Sequence, residues 1–290
     1  HQVFNEWGNY AYDLSDHQYC ERISNNCLEI GKLRTDPLLI GTGLSGLGRA
    51  AGMKFEIEKA QEYFQRAIFY LQRADDAMEM CDIYSRIGIV CFINDEFLKA
   101  REAFEKGLRI AEKTNFDQKI LEGAINNLSQ LCILLVYTGE TRKAQEYALE
   151  MVNYSRGVGR RSAVVQAYSI LVMTHYFSGE FNEAIKVGLE ILQAADRLKL
   201  RFWQSFIDIA LGQSYLMVGN LDAAWLHMSR ALKREEGYPG DRLYDQSRMG
   251  MGLLYQMTGE NTKALATFQG LVESKAHSIS VYESCYFMGV

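Results

Sequence analysis

Apolar residues recur three and four apart on either side of short polar breaks: Tyr84, Ile87, Val90 and Cys91 precede one break, and Phe97, Ala100, Phe104 and Leu108 follow it. That period is helical, so the break joins two amphipathic helices rather than two strands. The arrangement returns along the whole chain. Small residues stand at Cys20, Ala60, Ala100, Ala144, Ala184, Ala224 and Ala264, at intervals of 40, 40, 44, 40, 40 and 40 residues. A second set lies twelve residues earlier, at Gly8, Gly48, Gly88, Cys132, Val172, Gly212 and Gly252. Small residues at matched places on successive helices let the two helices pack closely. Five residues before each member of the first set comes the break itself, Ser15, Phe55, Asp95, Gly139, Gly179, Gly219 and Gly259, usually followed by Asp, Glu or Asn. Those residue types end one helix and start the next. Self-similarity at a period of about 20–50 residues is the signature of a solenoid, which predicts an all-α fold.

With the units written out, the chain resembles the tetratricopeptide repeat. The segments that carry the resemblance are GLGRAAGMKFEIEKAQEYFQRAI, RIGIVCFINDEFLKAREAFEKGL, SYLMVGNLDAAWLHMSRAL and GLLYQMTGENTKALATFQGL, and weaker copies extend it over essentially all 290 residues. The resemblance implies a right-handed superhelical solenoid of about seven helix-turn-helix repeats, at about 1–40, 41–80, 81–124, 125–164, 165–204, 205–244 and 245–277. A partial helix at 278–290 then reads as the start of a truncated eighth. Three features depart from the family pattern: a 40-residue unit in place of the usual 34, Val172 at a small position, and Cys20 in place of alanine. Longer units of this kind are similar to those in bacterial signal-transduction ATPases, maltose-regulator-like activators and some eukaryotic scaffold proteins. Pro37 and Pro239 both fall between repeats, where a helix breaker is tolerated.

Composition narrows the function classes. With 31 Lys+Arg against 36 Asp+Glu, a formal net charge of −5 and no long run of either sign, the chain lacks the basic face of a nucleic-acid binder. The one basic knot, Arg156, Arg160 and Arg161, sits in a Gly-containing connection and reads either as a solvated loop or as an anion site. No apolar run approaches the ~20 residues of a membrane span. Six cysteines without CxxC spacing, Cys20 and Cys132 among them at small positions, read as buried free thiols of a reducing, cytoplasmic compartment. The start at His1 and the lone half-unit at the end suggest a piece of a longer protein. The unmatched apolar residues of that half-unit, Val281, Tyr282, Cys285, Tyr286 and Phe287, would favour weak self-association.

Catalytic and cofactor motifs are weak. Gly41, Gly43 and Gly46 spell GxGxxG, which in a dinucleotide fold would cradle a pyrophosphate. The repeat register instead places them in the first helix of unit two, and no strand–helix alternation follows. The histidines have no metal-ligand spacing, and His175, at the place of Tyr215 and Tyr255, reads as a packed ring. No nucleophile motif is present, so neither an enzyme nor a cofactor is expected.

The resemblance also implies where a partner would lie, namely on the concave face lined by the first helices. Carried over by register, that face comprises Asp82, Ser85, Ile89 and Phe92, then Asn126, Ser129, Ile133 and Tyr137, then Gln166, Ser169, Met173 and Tyr176. Later units add Phe206, Gln213, Met217, Gln246, Met249, Leu253 and Gln256. A ladder of Ser45, Ser85, Ser129 and Ser169 runs along it, either contacting a partner or merely allowing helices to approach. The Lys and Asn pattern of chaperone-tail clamps is absent apart from Asn5, Asn9 and Arg49. Two readings remain: a scaffold that binds a peptide or partner protein in the groove, and an effector-sensing arm of a larger regulator that binds a small molecule or inhibitor protein.

Overall fold

A computed structural model describes residues 3–4, 16–54, 56–117, 119–236 and 242–273. Thirteen helices account for nearly all of them: α1 (His17–Arg34), α2 (Pro37–Met53), α3 (Ile57–Ala74), α4 (Ala77–Ile93), α5 (Phe97–Lys113), α6 (Leu121–Tyr137), α7 (Thr141–Gly157), α8 (Arg161–Phe177), α9 (Phe181–Arg197), α10 (Arg201–Met217), α11 (Leu221–Glu235), α12 (Arg242–Met257) and α13 (Asn261–Glu273). No strand occurs among the described residues, and none of the helices is long and apolar enough to cross a membrane. The fold is an all-α helical repeat. Gly8, Asn5, Asn9, Phe55, Pro239 and the eighth-unit stretch 278–290, with its expected self-association, lie outside the described residues.

Five of the seven expected breaks are observed turns, Ser15 and Phe55 lying outside the described residues. Gly139, Gly179, Gly219 and Gly259 all adopt φ near +80°, the left-handed conformation that glycine enters without a Cβ penalty, while Asp95 takes the same role at φ +58°. A second set of left-handed residues, which the periodicity did not disclose, closes the connections between pairs at Thr35, Asp75, Asn115 and Lys199. Two of the helices that follow are capped by a side chain: Asp36 accepts from the amides of Leu38 and Leu39, with Pro37 at the first helical position, and Asp76 accepts from that of Glu79. The first helices begin at 37, 77, 121, 161, 201 and 242, so the boundaries expected at 41, 81, 125, 165, 205 and 245 fall about one turn inside them. An apolar period locates a helix's face and not its first turn, which explains the offset.

The chain forms two compact units, residues 1–138 with 153–159, and 139–152 with 160–290. Within the first, α1 to α6 pack in chain order, and α2 meets α4 as α4 meets α6; within the second, α8 to α13 do the same, with α8 on α10 and α10 on α12. First helices are therefore enclosed on several sides and apolar almost all round, as in α2 and α6. Second helices keep a polar face: α3 buries only Ala60, Phe64, Ala67 and Leu71.

Close approach at the small positions holds each pair together. A Cβ built on Gly48 would lie 2.7 Å from Cε1 of Phe64, and one on Gly88 would lie 2.2 Å from Cε1 of Phe104. The small residue thus admits the ring four places after the alanine. Val172 departs from the pattern because its partner place is Gly188, so the pair keeps its volume with the large and small members exchanged. The GxGxxG glycines serve the same purpose, since all lie inside α2 with Gly41 against Leu71, Gly43 against the Leu28 backbone and Gly46 against Ser24.

Candidate partner-binding faces of the first helices

In the first unit the expected face residues lie on α4 and α6. Ile89, Phe92, Asn126 and Tyr137 are half-buried, and the rings of Phe92 and Tyr137 stand 5.9 Å apart. Ser85, Ser129 and Ile133 are buried. The serine ladder is turned inward: Ser45 accepts from Nη1 of Arg86 at 2.6 Å, and the Ser129 hydroxyl has no hydrogen-bond partner among the described residues.

Sequence reasoning missed how charged this region is. Arg49, Glu79 and Arg86 are all buried, and Asp82 is half-buried against Gly123 of α6. Burial pushes the Asp82 carboxyl up to about 6; Arg86 and Arg49 oppose the rise, and Glu79 and Glu122 reinforce it. Arg86 stands two residues before a small position, outside the register places carried over, which is why the cluster was not legible. Beneath it, the Asn127 amide donates to the Cys81 carbonyl at 3.0 Å and to the Gly123 carbonyl at 2.8 Å, while the Cys81 thiol lies 3.4 Å from the Gly107 carbonyl. This polar crossing ties α4, α5 and α6 together. Cys81 is one of five free, buried cysteines among the described residues.

The second unit has a less charged face. Gln166, Tyr176 and Gln213 are half-buried, Ser169, Met173 and Phe206 are buried, and Met217 is 56% exposed. Ser169 donates to the Val165 carbonyl at 2.6 Å, and Tyr176 packs edge-on to Phe177 at 5.0 Å and on Phe181 at 5.9 Å. Phe206 lies against Trp203 and Phe202. The residues carried over mixed two adjacent places, since Phe92 and Tyr176 stand four after the small position, and Tyr137 and Met217 five. In this unit the second place is the open one: Phe177, Met217 and Met257, 40 residues apart, are 38%, 56% and 56% exposed. Phe177 and Met257 are not among the register places carried over, although the 40-residue step from Met217 leads to both.

Two polar clusters complete the second unit. His175 presents Nδ1 at 2.6 Å to Glu180 and 3.1 Å to Gln145, whose amide donates to Glu180 at 2.7 Å; the bonds from His175 and then Gln145 hold the Glu180 carboxyl below its ordinary range. Between α10 and α11 lies a buried ionic network. Asp208 meets His227 at 2.8 Å and Arg234 at 3.0 Å, and Glu235 accepts from Ser205 at 2.6 Å and from Arg201 at 2.8 Å. Arg156, Arg160 and Arg161 are exposed. No group of three or more His, Cys, Asp or Glu residues is placed to hold a metal among the described residues.

No protein-family model and no curated protein matches the sequence. Solved structures do match in fold. NprR in complex with its cognate peptide NprX superposes with a TM-score of 0.68 at 15% identity, over 98% of this chain and 80% of that one. A Rap protein complexed with competence and sporulation factor gives 0.66 at 13% identity, over 94% and 86%. A tetratricopeptide repeat protein from Parabacteroides merdae gives 0.61 at 13% identity, over 98% of both chains. The helix pairs, their glycine turns and these likenesses together show that this chain has the tetratricopeptide-repeat fold, the fold also of NprR and Rap.

Proposed function

We propose that this chain is a non-catalytic binding array that takes an extended peptide, or an extended segment of a partner protein, on its first-helix faces. The observation that carries the reading is the exposed ladder of Phe177, Met217 and Met257, with half-buried Gln213 one turn before Met217. Flexible apolar side chains beside amide groups suit an extended chain, which needs adaptable contact together with hydrogen bonds to its backbone. A peptide selected from a random display library reports on this directly. Fluorescence anisotropy should show Phe177→Ala and Met217→Ala each weakening it at least tenfold, as expected of anchor residues, while Arg160→Ala changes little. The reverse order would move the binding surface to the loop edge.

A second reading, an effector-sensing arm of a regulator, draws support from the likeness to NprR, solved with its cognate peptide, and to a Rap conjugation gene regulator, solved with the Phr* peptide. It differs from a scaffold in requiring the array to change shape. Small-angle scattering with and without the selected peptide separates the two: an unchanged profile favours the scaffold, a changed one the sensor.

A further inference from the structure

Three helix pairs show a second crossing, between the residue four before the small position and the residue three after the alanine. Leu44 and Tyr63 share one apolar cluster, Tyr168 and Val187 share another, and Asp208 bonds His227. In α12 and α13 the same two places hold Arg248 and Thr267, and they do not fill the space. The Arg248 guanidinium is drawn aside, 5.7 Å from the Tyr244 ring centroid and so close over Gly270 that a Cβ there would lie 2.6 Å from Nη2. Thr267 is short, and its hydroxyl is already committed to the Lys263 carbonyl at 2.8 Å. A cleft of about 350 Å³ remains between α11, α12 and α13, at the small end of the range of about 300–1,000 Å³ for ligand pockets.

Its lining is specific. Leu232 and Met251 supply apolar surface, and Tyr244 and Tyr255 supply rings, the latter braced edge-on by Trp225 at 5.6 Å. Arg248 and Glu236 bring one charge of each sign, and neither has an ion-pair partner among the described residues. A half-buried guanidinium without a carboxylate binds one well, because its fork matches the two oxygens. Glu236 is exposed at the rim, where it would repel a simple anion, and half-buried Arg248 would repel a simple cation. A zwitterion satisfies both.

We infer that this cleft binds a free α-amino acid with an aromatic or branched apolar side chain, its carboxylate on Arg248, its ammonium toward Glu236 and its side chain against Met251, Leu232 and the two tyrosines. A peptide terminus offers only one of the two charges, so the site is separate in chemistry from the peptide face proposed above. It needs neither Phe177 nor Met217.

Titration calorimetry on the whole chain with L-phenylalanine, L-leucine, phenylacetate and phenethylamine tests the assignment. L-Phenylalanine should bind saturably at millimolar concentration, at least tenfold more tightly than either singly charged analogue. Arg248→Gln should weaken it at least tenfold, and Thr267→Tyr, which places in the cleft the residue found at Tyr63, should abolish binding without lowering the melting temperature. Absence of saturable heat for both amino acids overturns the inference, as does phenylacetate binding as tightly as L-phenylalanine. Undiminished binding to Arg248→Gln with an unchanged near-ultraviolet spectrum overturns it too, even if Thr267→Tyr does not fold.

Discussion

Glycine 88 shows at the residue scale how two opposed effects are weighed. Alanine in place of a helical glycine gains roughly 1 kcal/mol from backbone entropy. Here the added Cβ would lie 2.2 Å from a ring atom of Phe104, which is fully buried and has nowhere to go. Overpacking of that kind costs about 1–3 kcal/mol. We therefore expect Gly88→Ala to lose about 1 kcal/mol net in urea unfolding, and Gly88→Ala with Phe104→Leu to recover part of it. Asp82 makes a second residue-scale case. Its folded carboxyl titrates near 6 against an ordinary 3.8, so between those values the folded state holds a proton that the unfolded chain has released. The contribution of Asp82 to stability accordingly rises as pH falls from about 7 toward 4. Unfolding measured across that window should show Asp82→Asn more stable than the parent at pH 7 and the difference vanishing near pH 4.

At the scale of elements, first and second helices differ because of what surrounds them. A first helix touches its own partner, the preceding second helix and its first-helix neighbours, and so it reads as apolar nearly all round; a second helix keeps one face in water. Helix spacing and turns were legible for this reason, as each helix carries its own apolar stripe and each turn its own glycine. The crossings were less so. At the α10–α11 crossing an ionic network replaces apolar packing, and Asp208, wholly buried, holds His227 and Arg234. Removing one member of a buried ion pair leaves charge without compensation, at a cost of about 3–5 kcal/mol. Asp208→Ala should lose roughly 3 kcal/mol, and Asp208→Asn less, in chemical unfolding followed by circular dichroism.

The whole molecule consists of two compact units, each stabilised by contacts between neighbouring repeats. Such an array has no single core to enforce one cooperative transition. Calorimetry should resolve two transitions, with Asp208→Ala lowering one and Gly88→Ala the other. A single transition shifted by both variants would show that the two units unfold together.

The periodicity by itself determined the helix count per unit, the turns and the small positions, because these follow from the 3.6-residue period and from the φ values that glycine alone enters freely. It also explained the glycines of α2, which looked like a nucleotide loop and lie in a helix interior. What only the tertiary structure decided is which side chains remain available. Ser129 and Ser169 occupy the same register places as exposed groove residues would, yet both are buried, whereas Phe177, one place beyond the expected Tyr176, is open. One residue along a helix is a rotation of 100°, and whether that rotation ends in water or in a neighbour depends on how far the next helix pair is displaced. The same holds for the Arg248 cleft. Register names the residues that meet at a crossing, but whether they fill it depends on where a long side chain turns, and for Arg248 that is toward Tyr244, one turn back in α12, and over Gly270 of the paired α13.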